Sequence, residues 1–159
     1  MSQADTPPPA IRGCTCFRLR RLTRRVTQHY DTHLAHAGLR VTQYSLLGML
    51  LRADSLTLSE LAARMEMDRT TLTRNLGPLQ NAGWVEVVRG KDARSRAVQL
   101  TDAGRAAWDK AKPHWRQAQD QLNTALGEET VAELHGLLDA TLARFHLALD
   151  EAPAAAAAG

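Results

Sequence analysis

Six polar residues within positions 69–75 have side chains that suit contact with nucleic acid. They are Arg69, Thr70, Thr71, Thr73, Arg74 and Asn75. Arginine, threonine and asparagine donate hydrogen bonds to base edges and phosphate oxygens, and a threonine methyl group can contact the methyl group of thymine. On an isolated helix such residues are usually only a solvent-exposed face. Their interpretation therefore depends on the elements around them.

A second group of charged residues follows in the segment 89–96. It consists of Arg89, Lys91, Asp92, Arg94 and Arg96. Basic side chains at the tip of a β-hairpin can enter the minor groove of DNA, where narrow A·T-rich stretches attract arginine. Asp92 would hold Arg94 in one geometry through a charge-assisted hydrogen bond. The alternative is a merely soluble turn, but the order of the two groups along the chain favours a DNA contact.

Two short helices are predicted to position the first group. Thr57 and Glu60 have the spacing of a capping box at the start of one helix, and Asp68 is the predicted N-cap of the next. A stripe of leucines lies along one side of the second helix, and Gly83 ends that helix. The tight turn Glu66-Met67 between them gives the spacing of a helix-turn-helix.

The hydrophobic period changes after the second of these helices. Residues 84–89 and 96–100 are rich in β-favouring side chains and are predicted to pair as a hairpin. A long helix is predicted over 102–125, with a kink or a break at Pro113. A last helix is predicted over 128–149.

Two further helices precede the helix-turn-helix. One is predicted over 14–36 and ends at Gly38, and the other is predicted over 44–51 with Thr42 as its N-cap. The first helix and the last two helices are apolar on one side, and a small winged domain offers nothing to cover those sides. Two interleaved chains would cover them, so we expect a homodimer.

These elements predict a fold class that is mainly α with a small β-hairpin wing. The winged helix-turn-helix is predicted to occupy residues 41–101, and the dimerisation helices residues 14–40 and 102–150. The proline-rich segment 1–13 and the alanine-rich segment 151–159 are predicted to be disordered.

The composition limits the class of protein. A net charge of +3 is too small to indicate nucleic acid by itself, but residues 11–36 contain six arginines and one aspartate. Two cysteines are too few for a secreted disulfide scaffold. No apolar run approaches the roughly 20 residues of a transmembrane helix, and the polar N-terminal segment does not resemble a signal peptide. We therefore expect a cytoplasmic protein.

The motifs together resemble those of the multiple-antibiotic-resistance regulator (MarR) family. The resemblance rests on Leu58-Ser59-Glu60-Leu61-Ala62, the run 68–83, and Asp92-Ala93-Arg94 followed by Leu100-Thr101. It implies a winged-helix homodimer that binds a pseudo-palindromic site on double-stranded DNA, usually as a repressor. It also implies that Arg69 to Asn75 contact the major groove, that Asp92 and Arg94 form the tip of the wing, and that a small molecule acts as effector.

Cys16 offers one way to sense a signal. Cys16-Phe17-Arg18-Leu19 resembles the start of the first helix in the peroxide-sensing branch of the family, and Tyr30 matches a tyrosine of that branch. Val41 stands where that branch has a second tyrosine. A helix N-terminus and nearby arginines favour the thiolate form of a cysteine. The alternative is a small apolar residue buried at a dimer interface.

A small aromatic or phenolic acid is the effector that we prefer. The resemblance implies a pocket between the dimerisation helices and the winged domain. Its candidate lining residues are His29, Tyr30, His33, Tyr44 and Met49, with an arginine of the first helix to pair with the carboxylate. The alternative is that these are ordinary packing and surface residues.

Metal binding and catalysis have weaker support in the sequence. His29, His33 and His36 recur at helical spacing, but a tetrahedral metal site needs a fourth ligand, so we expect no metal. An enzyme with Cys16 as nucleophile would need a base and oxyanion donors, which no motif supplies. We therefore expect no enzyme and no cofactor. A purely structural helical dimer would leave the basic hairpin unexplained.

Overall fold

The computed structural model describes the backbone of residues 12–90 and 95–156, and the side chains of residues 12–90 and 95–148. Six helices and three strands follow one another along the described chain. In chain order they are α1 (Thr15–Leu34), α2 (Val41–Leu51), β1 (Leu56–Thr57), α3 (Leu58–Arg64), α4 (Arg69–Asn81), β2 (Val85–Arg89), β3 (Arg96–Leu100), α5 (Asp102–Leu126) and α6 (Glu128–Ala156). This order confirms a mainly helical fold with a hairpin after the helix-turn-helix.

The chain divides into two compact units, Met1–Ala111 and Lys112–Gly159. The core of the first unit is aliphatic, and α2 contributes most to it. Leu46, Leu47 and Leu50 of α2 are fully buried, together with Leu61 of α3 and Val98 of β3. In the second unit, Ala118 and Val131 are buried. The use of particular segments for dimerisation stays a prediction.

The junction of α1 and α2 differs from its predicted form. A 3₁₀ turn (Ala35–Ala37) follows α1, and Gly38 reverses the chain with a φ of 74°. Thr42 is not the N-cap of α2, so that prediction was wrong. The helix begins at Val41, whose N–H donates to Asp31 Oδ1 at 2.7 Å, and the Arg40 N–H donates to Gln43 Oε1 at 2.9 Å. A carboxylate from α1 thus satisfies a backbone donor that a local cap would otherwise have bound.

The caps of α3 and α4 confirm the sequence predictions. The Glu60 N–H donates to Thr57 Oγ1 at 3.2 Å, and the Thr57 N–H donates to Glu60 Oε2 at 2.7 Å. These two bonds complete the capping box of α3. Asp68 caps α4, and the intervening turn contains Glu66 with a φ of 52°. The turn and both caps fix how α4 leaves α3.

The predicted hairpin belongs to a three-stranded antiparallel sheet in the order β1-β3-β2. Val85 pairs with Leu100, and the register continues to Arg89 opposite Arg96. Strand β1 was missed in the sequence because two residues are too few to show an alternating pattern; its Leu56 pairs with Val98. Strand β1 therefore connects the middle of β3 directly to the start of α3.

Thr101 connects the sheet to α5. Its hydroxyl donates to the Gly83 carbonyl oxygen at 2.7 Å and accepts the Gly104 N–H at 3.0 Å. Gly104 has no room for a side chain, because a Cβ there would overlap the Trp84 carbonyl oxygen. These contacts connect the turn after α4 to the first turn of α5.

The two C-terminal helices begin where predicted, and α6 is longer than predicted. Helix α5 includes Pro113 and continues to Leu126, so the helix does not break at Pro113, and the alternative of a kink there stays a prediction. A proline removes one backbone hydrogen bond, and the other bonds of a 25-residue helix remain. Helix α6 continues to Ala156, past the point where the chain was predicted to become disordered, and alanine has the highest helix propensity. Within the described residues, no helix is long and apolar enough to cross a membrane.

Candidate DNA interface

The outer side of α4 presents the first group of polar residues. Leu72, Leu76 and Leu79 are buried and fix the inner side of the helix. The predicted readers lie on the remaining surface. Arg69, Thr70, Thr71, Thr73 and Arg74 are exposed, and Asn75 is half-buried. The N-terminal residues of a recognition helix are the ones that reach base edges in known docking geometries.

One of these residues also completes the N-cap of α4. The Thr71 N–H donates to Asp68 Oδ1 at 2.8 Å, and the Thr71 hydroxyl donates to Asp68 Oδ2 at 2.6 Å. The hydroxyl bond, followed by the backbone bond, holds the pKa of the exposed Asp68 below its ordinary value. The Thr71 proton is therefore engaged in the cap, and its methyl group remains for a base contact.

Two further residues of this group have partners in α4 or in the turn before it. The Thr73 hydroxyl donates to the Arg69 carbonyl oxygen at 2.8 Å, one helical turn earlier. Asn75 Nδ2 lies 3.7 Å from Met67 Sδ, across the turn of the helix-turn-helix. Arg69, Thr70 and Arg74 are the other exposed residues of the predicted DNA-contacting group.

The arms of the hairpin carry two residues of the second group. Arg89 and Arg96 pair across the ladder, and both are exposed. The Gly90 N–H then donates to the Ser95 carbonyl oxygen at 2.8 Å and closes the ladder before the tip. A Cβ at Gly90 would overlap the Ser95 hydroxyl, so a larger residue there would require the Ser95 side chain to move. Lys91, Asp92 and Arg94 lie outside the described residues.

The candidate effector residues form two aromatic groups in the first unit. The His29 ring lies 5.0 Å from that of His33 and 5.8 Å from that of Tyr30, edge-on in both cases. Tyr30 is buried, and burial raises its pKa. A surface cavity of about 300 Å³ is lined by Arg25, Gln28, His29 and Thr32. It places an arginine of α1 beside a predicted pocket histidine.

Tyr44 belongs to the second aromatic group, which the sequence did not predict. Its buried ring stacks on Trp108 of α5, with 5.3 Å between centroids and 6° between planes. Gly48 makes room for this stack, because a Cβ there would lie 3.1 Å from Trp108 Nε1. Met49 of α2 is half-buried. No local pattern in the sequence pairs Trp108 with Tyr44, because the two residues are 64 positions apart.

The cysteines lie at the start of α1. Cys14 is its N-cap residue with extended backbone, and Cys16 is its second residue. Both are exposed, and neither is in a disulfide. Cys16 is thus exposed within a single chain, and its burial at a dimer interface stays a prediction. Within residues 12–90 and 95–148, no three metal-ligating side chains come together as a site, and His36 is exposed.

Comparison with known proteins agrees with this geometry. A sequence model of the MarR family matches residues 37–95. The transcriptional regulator MosR of Mycobacterium tuberculosis, solved in complex with DNA, is 40% identical, with a TM-score of 0.71 over 82% of this chain and 98% of that chain. The transcriptional repressor CouR, bound to a 23-mer DNA duplex, is 28% identical, with a TM-score of 0.73 over 82% of this chain and 92% of that chain.

A curated relative points the same way. The HTH-type transcriptional regulator TtmR of Methylorubrum extorquens is 32% identical over 107 residues, which are 66% of this chain and 55% of TtmR. The matched region thus spans little more than half of that protein. These relatives are transcriptional regulators, not enzymes.

Proposed function

Because this chain belongs to the MarR family of DNA-binding transcriptional regulators, we propose that it is a homodimeric cytoplasmic repressor that a small aromatic or phenolic acid releases from its operator. The observation that carries the proposal is the capped helix α4, which exposes Arg69 and Arg74, buries its leucines and is followed by a basic hairpin. The CouR structure supports the repressor role, since its protein is described as a repressor and is bound to duplex DNA.

Each group of polar residues has a separate role in this proposal. The α4 residues Arg69, Thr70 and Arg74 donate to base edges and phosphates in the major groove, while Thr71 and Thr73 offer methyl groups and Asn75 its amide oxygen. In the hairpin, Arg89 and Arg96 bind phosphates beside the minor groove. The residues proposed for its tip are Lys91, Asp92 and Arg94.

The homodimer is supported by exposed apolar side chains on the terminal helices. Phe17 of α1 is 61% exposed, and Phe145 of α6 is 60% exposed. Leu138 and Leu142, at three- and four-residue steps before Phe145, extend the apolar side of α6 and are 40% and 45% exposed. Exposed apolar patches of this kind mark interfaces. The segments 14–40 and 102–150 are therefore the proposed dimerisation helices.

An organic acid suits the chemistry near His29. The cavity beside it offers the Arg25 guanidinium and the Gln28 amide, and a guanidinium binds a carboxylate through two parallel hydrogen bonds. His33 and the buried Tyr30 continue the aromatic group. Tyr44 and Met49 complete the proposed set of effector residues.

Thiol sensing at Cys16 is the second candidate for the signal. The exposed position of Cys16 in the first turn of α1 favours it, because a reactive thiol must be accessible to a hydroperoxide. In this version oxidation of Cys16, rather than an organic acid, releases the DNA.

Selection of bound fragments from the organism's own genome tests the proposed function. The purified chain should enrich a small set of intergenic fragments that contain an inverted repeat, as expected for two recognition helices related by a twofold axis. Repression predicts that the fragment also lowers reporter expression when the protein is present. Enrichment of random sequence alone would contradict operator recognition.

A further inference from the structure

We infer that the arginine-rich outer side of α1 is a second phosphate-binding surface, which contacts duplex DNA in addition to α4 and the hairpin. This surface, the outer arginine face, consists of five residues of α1 and one residue just before the helix, all of which are exposed: Arg18, Arg20, Arg21, Arg24 and Arg25, with Arg12. The inference goes beyond the proposed function, in which these residues, apart from Arg25, have no role.

The arginines lie away from the core side of α1. Tyr30 and Leu34 are buried, and Val26, one turn earlier, is half-buried. At 100° per residue, Arg21 projects opposite to Tyr30, and Arg24 lies within the same half of the helix. The arginines therefore do not serve the packing of α1 against the core.

This arrangement works against the stability of α1. Arg20 and Arg24 are four residues apart, as are Arg21 and Arg25, and like charges at this spacing repel. Arg18 lies in the first turn of the helix, which contains no acidic residue, so its charge opposes the helix dipole. Residues that lower local stability without a structural need are typical of functional surfaces.

The sequence supplies little negative charge nearby. Asp31 is the one acidic residue in 11–36. Its Oδ1 atom accepts the Val41 N–H at 2.7 Å, so it serves the start of α2. The Arg18 side chain donates to the Arg12 carbonyl oxygen at 3.3 Å. Because a carbonyl group is neutral, this bond does not neutralise the positive charge of Arg18. An external anion would relieve the repulsion.

Duplex DNA is the anion that fits this face best. All six cations are arginines, and a guanidinium fork matches phosphate oxygens in a way that lysine does not. From Arg18 to Arg25 the helix rises roughly 10 Å, which suits a row of backbone phosphates better than a single small anion. As a DNA-binding protein, the chain already works close to this polyanion.

The salt dependence of DNA binding tests the inference. Fluorescence anisotropy would give the dissociation constant for a 40-bp duplex of random sequence at several salt concentrations. The test variant is Arg20→Gln/Arg21→Gln/Arg24→Gln. The control is Arg105→Gln/Lys110→Gln/Arg144→Gln, which removes the same charge from exposed positions of α5 and α6. Each lost phosphate contact lowers the slope of log affinity against log salt by about 0.9.

The expected result is a slope smaller by about 2 to 3 in the test variant and by less than 1 in the control. Equal slopes in the two variants would overturn the inference. So would a test variant that sediments as a monomer while the control stays dimeric, because the arginines would then bind a second copy of the chain. Wild-type protein that does not bind any duplex would instead contradict the proposed function.

Discussion

Arg89 and Arg96 lie directly opposite each other on the β2–β3 ladder, just before the tip of the hairpin. Like charges in facing positions of a sheet repel, so this pair costs stability in the free protein. A phosphate placed between or beside the two guanidinium groups would remove the cost. The pair is thus better suited to DNA binding than to folding.

The first prediction concerns this pair. Arg89→Ala/Arg96→Ala should weaken binding to an operator fragment at least tenfold, because two phosphate contacts are lost. The midpoint of thermal unfolding should stay the same or rise slightly, since the cross-strand repulsion is gone. Anisotropy and thermal melts measure the two quantities.

The control for this pair lies on the same two strands, further from the tip of the hairpin. Gln99 Nε2 donates to Glu86 Oε1 at 2.7 Å across the two strands, away from the tip. Gln99→Ala should leave DNA affinity nearly unchanged. If the double arginine variant binds as tightly as Gln99→Ala, the arms of the hairpin do not contact DNA.

The second prediction concerns the pH dependence of the α4 cap. The pKa of Asp68 is lowered below its ordinary value of 3.8 by the bonds from Thr71, so the folded state favours the carboxylate. The cap therefore stabilises the fold fully above pH 3.8, and this contribution disappears as the pH falls through the lowered pKa. Urea unfolding of wild type and Asp68→Ala should differ at pH 6 and converge near pH 2.

Asp68→Asn separates charge from hydrogen bonding in this cap. Asparagine also caps helices well, so this variant should unfold at pH 6 close to wild type and show less pH dependence. A constant difference between wild type and Asp68→Ala from pH 6 to pH 2 would show that ionisation of Asp68 does not matter.

The third prediction concerns Gly48, which faces the stacked Tyr44 and Trp108. Alanine in a helix interior is favoured over glycine by about 1 kcal/mol. At Gly48 this gain should be lost, because the new Cβ would lie 3.1 Å from Trp108 Nε1. Gly136→Ala is the control, since a Cβ there meets nothing within 4 Å. Urea unfolding should show a gain for Gly136→Ala and none for Gly48→Ala, and equal gains would contradict the tight fit.

The fourth prediction separates the two candidate signals. If Cys16 is the sensor, a hydroperoxide should release DNA from the wild type and from Cys14→Ser, but not from Cys16→Ser. If an organic acid is the signal, salicylate-like acids should release DNA from all three proteins, and Arg25→Gln should reduce their effect. Hydroperoxide release from both cysteine variants would exclude Cys16 as the sensor.

Local signals in the sequence were sufficient for the DNA-binding elements. Thr57, Glu60 and Asp68 are caps that act within three residues, and the leucine spacing fixes the buried side of α4. Contacts between distant residues were not predictable in the same way. The Asp31 bond to the start of α2 spans ten residues, and the Tyr44–Trp108 stack joins α2 to α5. Such pairs form only in the packed fold and produce no periodic pattern in the sequence.

The most direct test of the account is DNA binding by Arg74→Ala. Arg74 is exposed on α4, and its loss should weaken binding to a selected genomic fragment by about 1 to 3 kcal/mol, or roughly five- to 150-fold. Arg144→Ala, an exposed arginine of α6, should bind like wild type. If Arg74→Ala retains the wild-type dissociation constant at the same salt concentration, α4 is not the recognition helix.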